Sequence, residues 1–216
     1  RRGGQGVGLT GRRLGIAPDK TVVLYAPTFR DDQATAASQF SQRLALDLDT
    51  LRAGAAGSDG VIHLAFIHDF TDFEATVSAD RRAIETMGAA LEGSGRPLVI
   101  ASGTAAVPGH VATERDESAS GSPVAGRLAN ARAALGLADR GVRSAVVGLP
   151  RTVHGDGDRH GFIARLVGIA RDTGVSGYPG DGSNRWPAVH VLDAANLFRL
   201  AVEQAPAGSR LHAVGD

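Results

Sequence analysis

Apolar positions along this chain fall into two periodic styles. Asp59-Gly60-Val61-Ile62-His63-Leu64-Ala65-Phe66 and Pro97-Leu98-Val99-Ile100-Ala101-Ser102-Gly103-Thr104 are short continuous apolar runs that end in small or polar residues. Continuous runs mark strands buried on both faces, as in a parallel sheet, whereas half-solvated strands alternate. Val142 to Leu149 is another such run, Thr21 to Ala26 reads as a strand before them, and Leu211 to Val214 as a last short one. Between the runs, apolar residues recur at helical spacing. Ile84, Met87 and Leu91 share a face over 80–92, and an Ala- and Leu-rich helix covers 124–138. Phe162, Leu166 and Ala170 form a stripe over 161–172, with Ile163 and Val167 beside it. Leu197, Phe198, Ala201 and Val202 point inward from a helix over 194–204, for which Asp193 is the expected N-cap. A shorter helix over 47–56 places Leu48, Leu51 and Ala55 together and stops at Gly57.

This alternation predicts an α/β fold: a Rossmann-like parallel sheet flanked by helices, with strands 60–66, 97–101 and 142–149 adjacent. Ligands of such sheets sit beyond the carboxyl ends of the strands. His63, Ser102 and Thr104 fall there.

Composition narrows the classes. A chain of 216 residues that is 43% hydrophobic can bury a real core, and no apolar run approaches the length that spans a bilayer. The 23 basic and 23 acidic residues balance, which removes the electrostatic argument for nucleic acid or an anionic membrane. Without cysteine there are no disulfides and no thiolate metal sites. Arg1-Arg2 is followed by glycines rather than an apolar segment, so no signal peptide is expected and the expected location is cytoplasmic. Lys20 is the single lysine, so a catalytic lysine has one candidate.

Gly6-Val7-Gly8-Leu9-Thr10-Gly11 matches the dinucleotide fingerprint, and Asp31 lies beyond it. Its context does not fit. Too few residues precede it for a strand, and Pro18 interrupts a segment too short to cross back over a sheet. A glycine-rich terminus is the plainer reading.

The residues Leu14 to Asp32, LGIAPDKTVVLYAPTFRDD, resemble the opening of the nucleotide-binding half of CDP-glycerol glycerophosphotransferases, enzymes of teichoic-acid synthesis. Gln39 to Arg52 continues in that style, so the likeness covers about residues 10–52. It implies phosphate contacts from Thr28 and Arg30. From Asp59 onward the chain resembles an extended or atypical short-chain dehydrogenase/reductase of the NAD-dependent epimerase/dehydratase kind. DGVIHLAF, SGRPLVIASGTAAVPG, LPRTVHGDGD and WPAVHVLDAANLFRLAVE carry that likeness in the family's order. It implies NAD or NADP lying across the sheet near His63, Leu64, Ala65, Pro150 and His154. It also implies a catalytic hydroxyl from Ser102 or Thr104, between which the sequence does not choose, and a small-molecule substrate facing Asn184, Arg185 and Trp186. The expected organisation is a transferase-like segment over 1–52 and a Rossmann-like domain over 53–216 that lacks its first βαβ unit, with the seam within 45–58. A homo-oligomer is compatible with this reading; nucleic acid, membrane and metal partners are not expected.

Two features depart from the reductase pattern. Neither Tyr25 nor Tyr178 has a lysine four residues on, and Val124 and Leu128 stand where the family's Tyr and Lys would. Neither side chain exchanges a proton, and a missing general acid forfeits about a hundredfold to ten-thousandfold in rate. The phosphate-binding glycine loop of the family's first strand is also replaced by the transferase-like text. Together these predict weak binding of NAD(H) or NADP(H) and an impaired or inactive oxidoreductase- or epimerase-like protein. The alternatives are a glycerophosphotransferase-related fragment and a non-catalytic dinucleotide-binding domain. His154, Asp156, Asp158 and His160 alternate in a pattern that invites a metal, but a ligand-facing loop or an ordinary turn explains them more simply.

Overall fold

A computed structural model describes residues 19–25, 47–67, 71–105, 107, 109–118, 125–158 and 161–215. The glycines at 6–11, Thr28, Arg30 and Val124 lie outside the described residues.

Strand β1 (Val22–Tyr25) is followed by helix α1 (Leu48–Ala56), β2 (Gly60–His63), α2 (Phe73–Leu91) and β3 (Pro97–Gly103). Then come α3 (Ala125–Gly136), a 3₁₀ turn (Leu137–Arg140), β4 (Arg143–Leu149), β5 (Thr152–His154) and α4 (Phe162–Thr173). The chain closes with β6 (Ala188–His190), α5 (Val191–Gln204) and β7 (Ser209–His212). The main sheet runs β1-β2-β3-β4-β7 with every neighbouring pair parallel. The expected adjacency of the strands around 60, 97 and 142 is therefore present. β5 and β6 form a separate two-stranded parallel sheet.

Local chemistry sets the helix starts. The Asp47 carboxylate accepts from the N–H groups of Asp49 and Thr50 at 3.1 and 3.2 Å, and so caps α1. Asp72 does the same for α2 by accepting from Ala75 N–H at 3.1 Å. That cap starts α2 at Phe73, ahead of the expected 80, because its first turns are too mixed in polarity to show a periodic stripe. α5 also starts early. His190 Nδ1 accepts from Leu192 N–H at 3.3 Å, so His190 is the N-cap and Asp193 lies in the first turn. A carboxylate there still favours the helix through its dipole.

Both faces of the sheet are covered. On one, Val61, Leu98, Ile100 and Val146 pack with Ile84, Met87 and Leu91 of α2, Ala134 of α3 and Leu137. Burying each large side chain contributes about 1.5–3 kcal/mol. α2 approaches the 3₁₀ turn so closely that a Cβ on Gly88 would lie 2.6 Å from Leu137 Cδ1. On the other face, Ile62, Val99, Ala145 and Val147 pack with Ala194, Phe198, Ala201 and Val202 of α5. Arg143 donates to the Val202 and Ala205 carbonyls at 2.5 and 3.2 Å, satisfying the last turn of α5.

The stripe on α4 departs from expectation. None of its residues is buried, and Phe162, Ile163, Leu166 and Val167 are exposed. The periodicity is helical, but the stripe stays exposed, with Phe162 meeting only the edge of Trp186 at its start. The final strand is 209–212 rather than 211–214, and β2 ends at His63 because only Val61, Ile62 and His63 find partners on β3. Among the described residues no helix is long and apolar enough to cross a membrane.

Candidate active site

The carboxyl ends of β2, β3 and β4 lie side by side, and there the sequence-derived candidates are found. β3 and β4 pair from Pro97↔Arg143 to Gly103↔Leu149. Beyond the last pair, Thr104 N–H donates to Leu149 O at 3.0 Å, which brings Thr104 next to Pro150. Side chains alternate along a strand, so Ser102 shares a face with Leu98 and Ile100 and looks toward α3. Ser102 is 4% exposed, and its buried Oγ has no hydrogen-bond partner among the described residues. Buried hydroxyls are nearly always paired, which sets Ser102 apart from the other buried polar groups of β3 and β4.

Ser102 lines a shallow, solvent-open cleft between β3, β4, β7, α3 and the loop residues Ala105 and Asp116 to Ser118. Leu128 and Ala131 of α3 form one wall, and Gly148 and His212 another. Arg132 of α3 donates to both carboxylate oxygens of Glu117, at 3.2 and 2.5 Å. Arg210 of β7 reaches the same carboxylate at 3.3 Å and the Asp116 carbonyl at 3.4 Å. These hydrogen bonds, Arg132 foremost, hold Glu117 below the usual carboxylate range. Asp116 is lowered to about 2, first by the Thr113 backbone N–H, then by the Thr113 hydroxyl and His110. The Thr113 N–H lies 2.7 Å from the Asp116 carboxylate. Nothing local in the sequence marks this cluster, because Arg132 and Arg210 stand 15 and 93 residues from Glu117.

His63 is the last residue of β2 and is paired within the fold. It is 3% exposed, and its Nε2 lies 2.8 Å from Asp80 Oδ1 of α2. Asn130 Nδ2 donates to Asp80 Oδ2 at 2.8 Å and to the Val77 carbonyl at 2.9 Å. The network ties β2, α2 and α3 together. Leu64 and Ala65 follow in the loop leaving β2, and Arg127 stacks 4.0 Å over Phe66 of that loop. Burial pushes the Arg127 guanidinium down, while the Asp80 charge opposes the shift. Arg127, the neighbour of Leu128, is thus a largely buried cation packed against the loop that leaves β2.

The remaining candidates form a second group. Trp186 Nε1–H donates to Thr152 Oγ1 at 2.7 Å, and its ring meets Phe162 edge-on at 5.5 Å. His154 and His190 face each other edge-on at 5.4 Å across β5 and β6. Asn184 and Arg185 are exposed in the stretch before β6. Among the described residues no group of His, Cys, Asp and Glu is arranged to hold a metal ion.

Known proteins resemble both parts of the chain. The sequence profile of CDP-Glycerol:Poly(glycerophosphate) glycerophosphotransferase matches residues 4–90, running beyond the expected seam into β2 and α2. The uncharacterized protein C2A9.02 of Schizosaccharomyces pombe is 46% identical over 172 residues, 79% of this chain. The chain spans 57% of that relative's length. Among solved structures, MoeE5 in complex with UDP-glucuronic acid and NAD is 26% identical with a TM-score of 0.61, covering 78% of this chain and 61% of its own. DesIV, a dTDP-glucose 4,6-dehydratase from Streptomyces venezuelae with NAD and TYD bound, has a TM-score of 0.68 at 19% identity. That alignment covers 95% of this chain and 69% of DesIV. The fold is that of the NAD-dependent epimerase/dehydratase enzymes.

Proposed function

We propose that the chain is an NAD(P)-dependent oxidoreductase- or epimerase-like protein of the short-chain dehydrogenase/reductase type, impaired in turnover. The observation that carries this is the open Ser102 hydroxyl at the end of β3, beside Thr104 and Pro150, in a parallel sheet shared with dehydratases and epimerases. In this reading a nicotinamide, when bound, supplies the hydride chemistry. The chain's own part is to hold the substrate oxygen. Ser102 or Thr104 donates a hydrogen bond to it as negative charge develops. Leu64, Ala65, Pro150 and His154 border the cofactor, and the Trp186 segment with Asn184 and Arg185 faces a small-molecule substrate. The buried His63 supports that loop through Asp80.

The fit is uneven. The strand ends offer hydroxyl and backbone groups to the nicotinamide half. A pyrophosphate needs close backbone N–H groups on a glycine-bearing turn. No glycine occurs from Ala26 to Leu46, the stretch leaving β1. Leu128 carries no proton, and Arg127 remains a cation held for electrostatics rather than exchange. Weak cofactor binding follows from the first absence and slow turnover from the second.

The test is titration of the chain with NADH and NADPH, following Trp186 emission and the thermal midpoint. The expected result is weak quenching with a small rise in midpoint; saturation at micromolar cofactor with family-like turnover would overturn the impairment. No response at millimolar cofactor would overturn the dinucleotide reading. A second reading, a glycerophosphotransferase-related segment over 1–52 joined to a Rossmann-like domain over 53–216, is favoured by the profile match at residues 4–90. Cytidine nucleotides raising the midpoint where NADH does not would favour it. The absence of a Tyr–Lys pair also suits a domain that binds a dinucleotide without catalysis, which cofactor binding with zero turnover would support.

A further inference from the structure

We propose that the cleft over Ser102 binds a small molecule bearing a carboxylate or phosphate group, clamped by Arg132 and Arg210, and that the Glu117 carboxylate is an internal stand-in for it. Guanidinium groups from α3 and β7 converge on one carboxylate, and Arg132 grips it through both oxygens. This fork geometry is how arginine recognises the anionic oxygens of ligands. An exposed ion pair by itself is ordinary surface chemistry. What distinguishes this one is the floor beneath it, where a buried Ser102 hydroxyl without a partner among the described residues lines the same cleft. A ligand spanning the cleft would satisfy both ends, its anionic group on the arginines and another oxygen on Ser102.

The stand-in is placed to leave. Glu117 belongs to the loop between β3 and α3, and the Glu117 and Arg132 side chains are 47% and 54% exposed. A dissolved anion can therefore exchange with the carboxylate without unfolding the protein. The loop's other anchors, Arg210 to the Asp116 carbonyl and His212 N–H to Glu114 at 3.2 Å, keep the segment near β7. The clamp is built on α3 and β7 and shares only Ser102 with the residues of the dinucleotide reading. The proposal thus goes beyond the dinucleotide reading and is tested without nucleotide.

Calorimetric titration at constant ionic strength would compare the unaltered chain, Glu117→Gln and Arg132→Gln, using citrate and inorganic phosphate as separate probes. Expected are saturable binding of at least one probe and affinity about twofold to fivefold higher in Glu117→Gln, the range an exposed ion pair supports. Arg132→Gln should bind at least tenfold more weakly. The probe that binds tells carboxylate from phosphate. Absence of saturable heat with both probes in the unaltered chain and in Glu117→Gln would overturn the proposal, as would equal affinity across the three. If a charge variant loses its thermal transition, Ser102→Ala provides the second arm. It should fold normally and bind the anion more weakly, and unchanged affinity there would count against a ligand that reaches the floor.

Discussion

Ser102 and Asp80 show how differently two buried polar side chains can be used. Asp80 is paired on both oxygens, to His63 and to Asn130, so its carboxylate is part of the fold. Replacing it with Ala strips an acceptor from His63 and leaves Asn130 Nδ2 with the Val77 carbonyl. Each buried group deprived of its partner costs about 1–3 kcal/mol. Asp80→Ala should therefore lower the denaturant midpoint clearly. Ser102 is the opposite case. Its Oγ has no partner to lose among the described residues, so Ser102→Ala should leave the midpoint unchanged or slightly raised while weakening ligand binding. A structural role for the hydroxyl would show as a loss of midpoint instead.

At the scale of elements, the loop at 109–118 and helix α4 invite separate tests. The loop is held by carboxylates of lowered pKa, Asp116 at about 2 and Glu117 below its usual range. A depressed carboxylate contributes above its unfolded value, 3.8 for Asp, and the contribution is lost as pH falls through the folded value. The contacts around Thr113 should thus be intact at neutral pH and release as pH drops from about 4 toward about 2. Amide shifts of Thr113 and Arg115 would follow this, and a release centred near neutrality would contradict it. α4 has the reverse character, an apolar stripe with no burial. Leu166→Lys removes exposed apolar surface and no packing, so stability should change by less than about 0.5 kcal/mol. A large loss of thermal midpoint would mean that Leu166 is covered in solution.

For the molecule as a whole, the question is whether the first strand belongs with the rest. β1 pairs in parallel with β2 across the seam expected within 45–58. Thr21 N–H also donates to Asp59 at 2.8 Å, and Asp59 N–H returns a bond to the Thr21 carbonyl at 2.7 Å. The sheet is thus continued across the expected seam by backbone pairing, which any strand of matching length can supply. Hydrogen exchange is the measurement. Sheet amides of 22–25 should exchange with those of 61–63 in one cooperative unit, and exchange at the rate of open backbone would show β1 to be tacked on.

Read by itself, the sequence determined the parallel strands at 60, 97 and 142, the helices between them and the placing of Ser102 and Thr104 at a strand end. It could do so because continuous apolar runs and helical stripes report local burial, and because strand ends in α/β sheets have a fixed functional polarity. Helix starts were less legible, since the caps at Asp72 and His190 act through side-chain geometry that apolar periodicity does not encode. Only the tertiary structure decided that the α4 stripe stays exposed, that His63 turns to Asp80, and that Arg132 and Arg210 meet on Glu117. These depend on which elements become neighbours. An amphipathic stripe specifies a face to be covered but not its cover, and a surface arginine specifies a charge but not its partner. The sheet order supplies both, by bringing β7 beside β4 and laying the 109–118 loop across their ends.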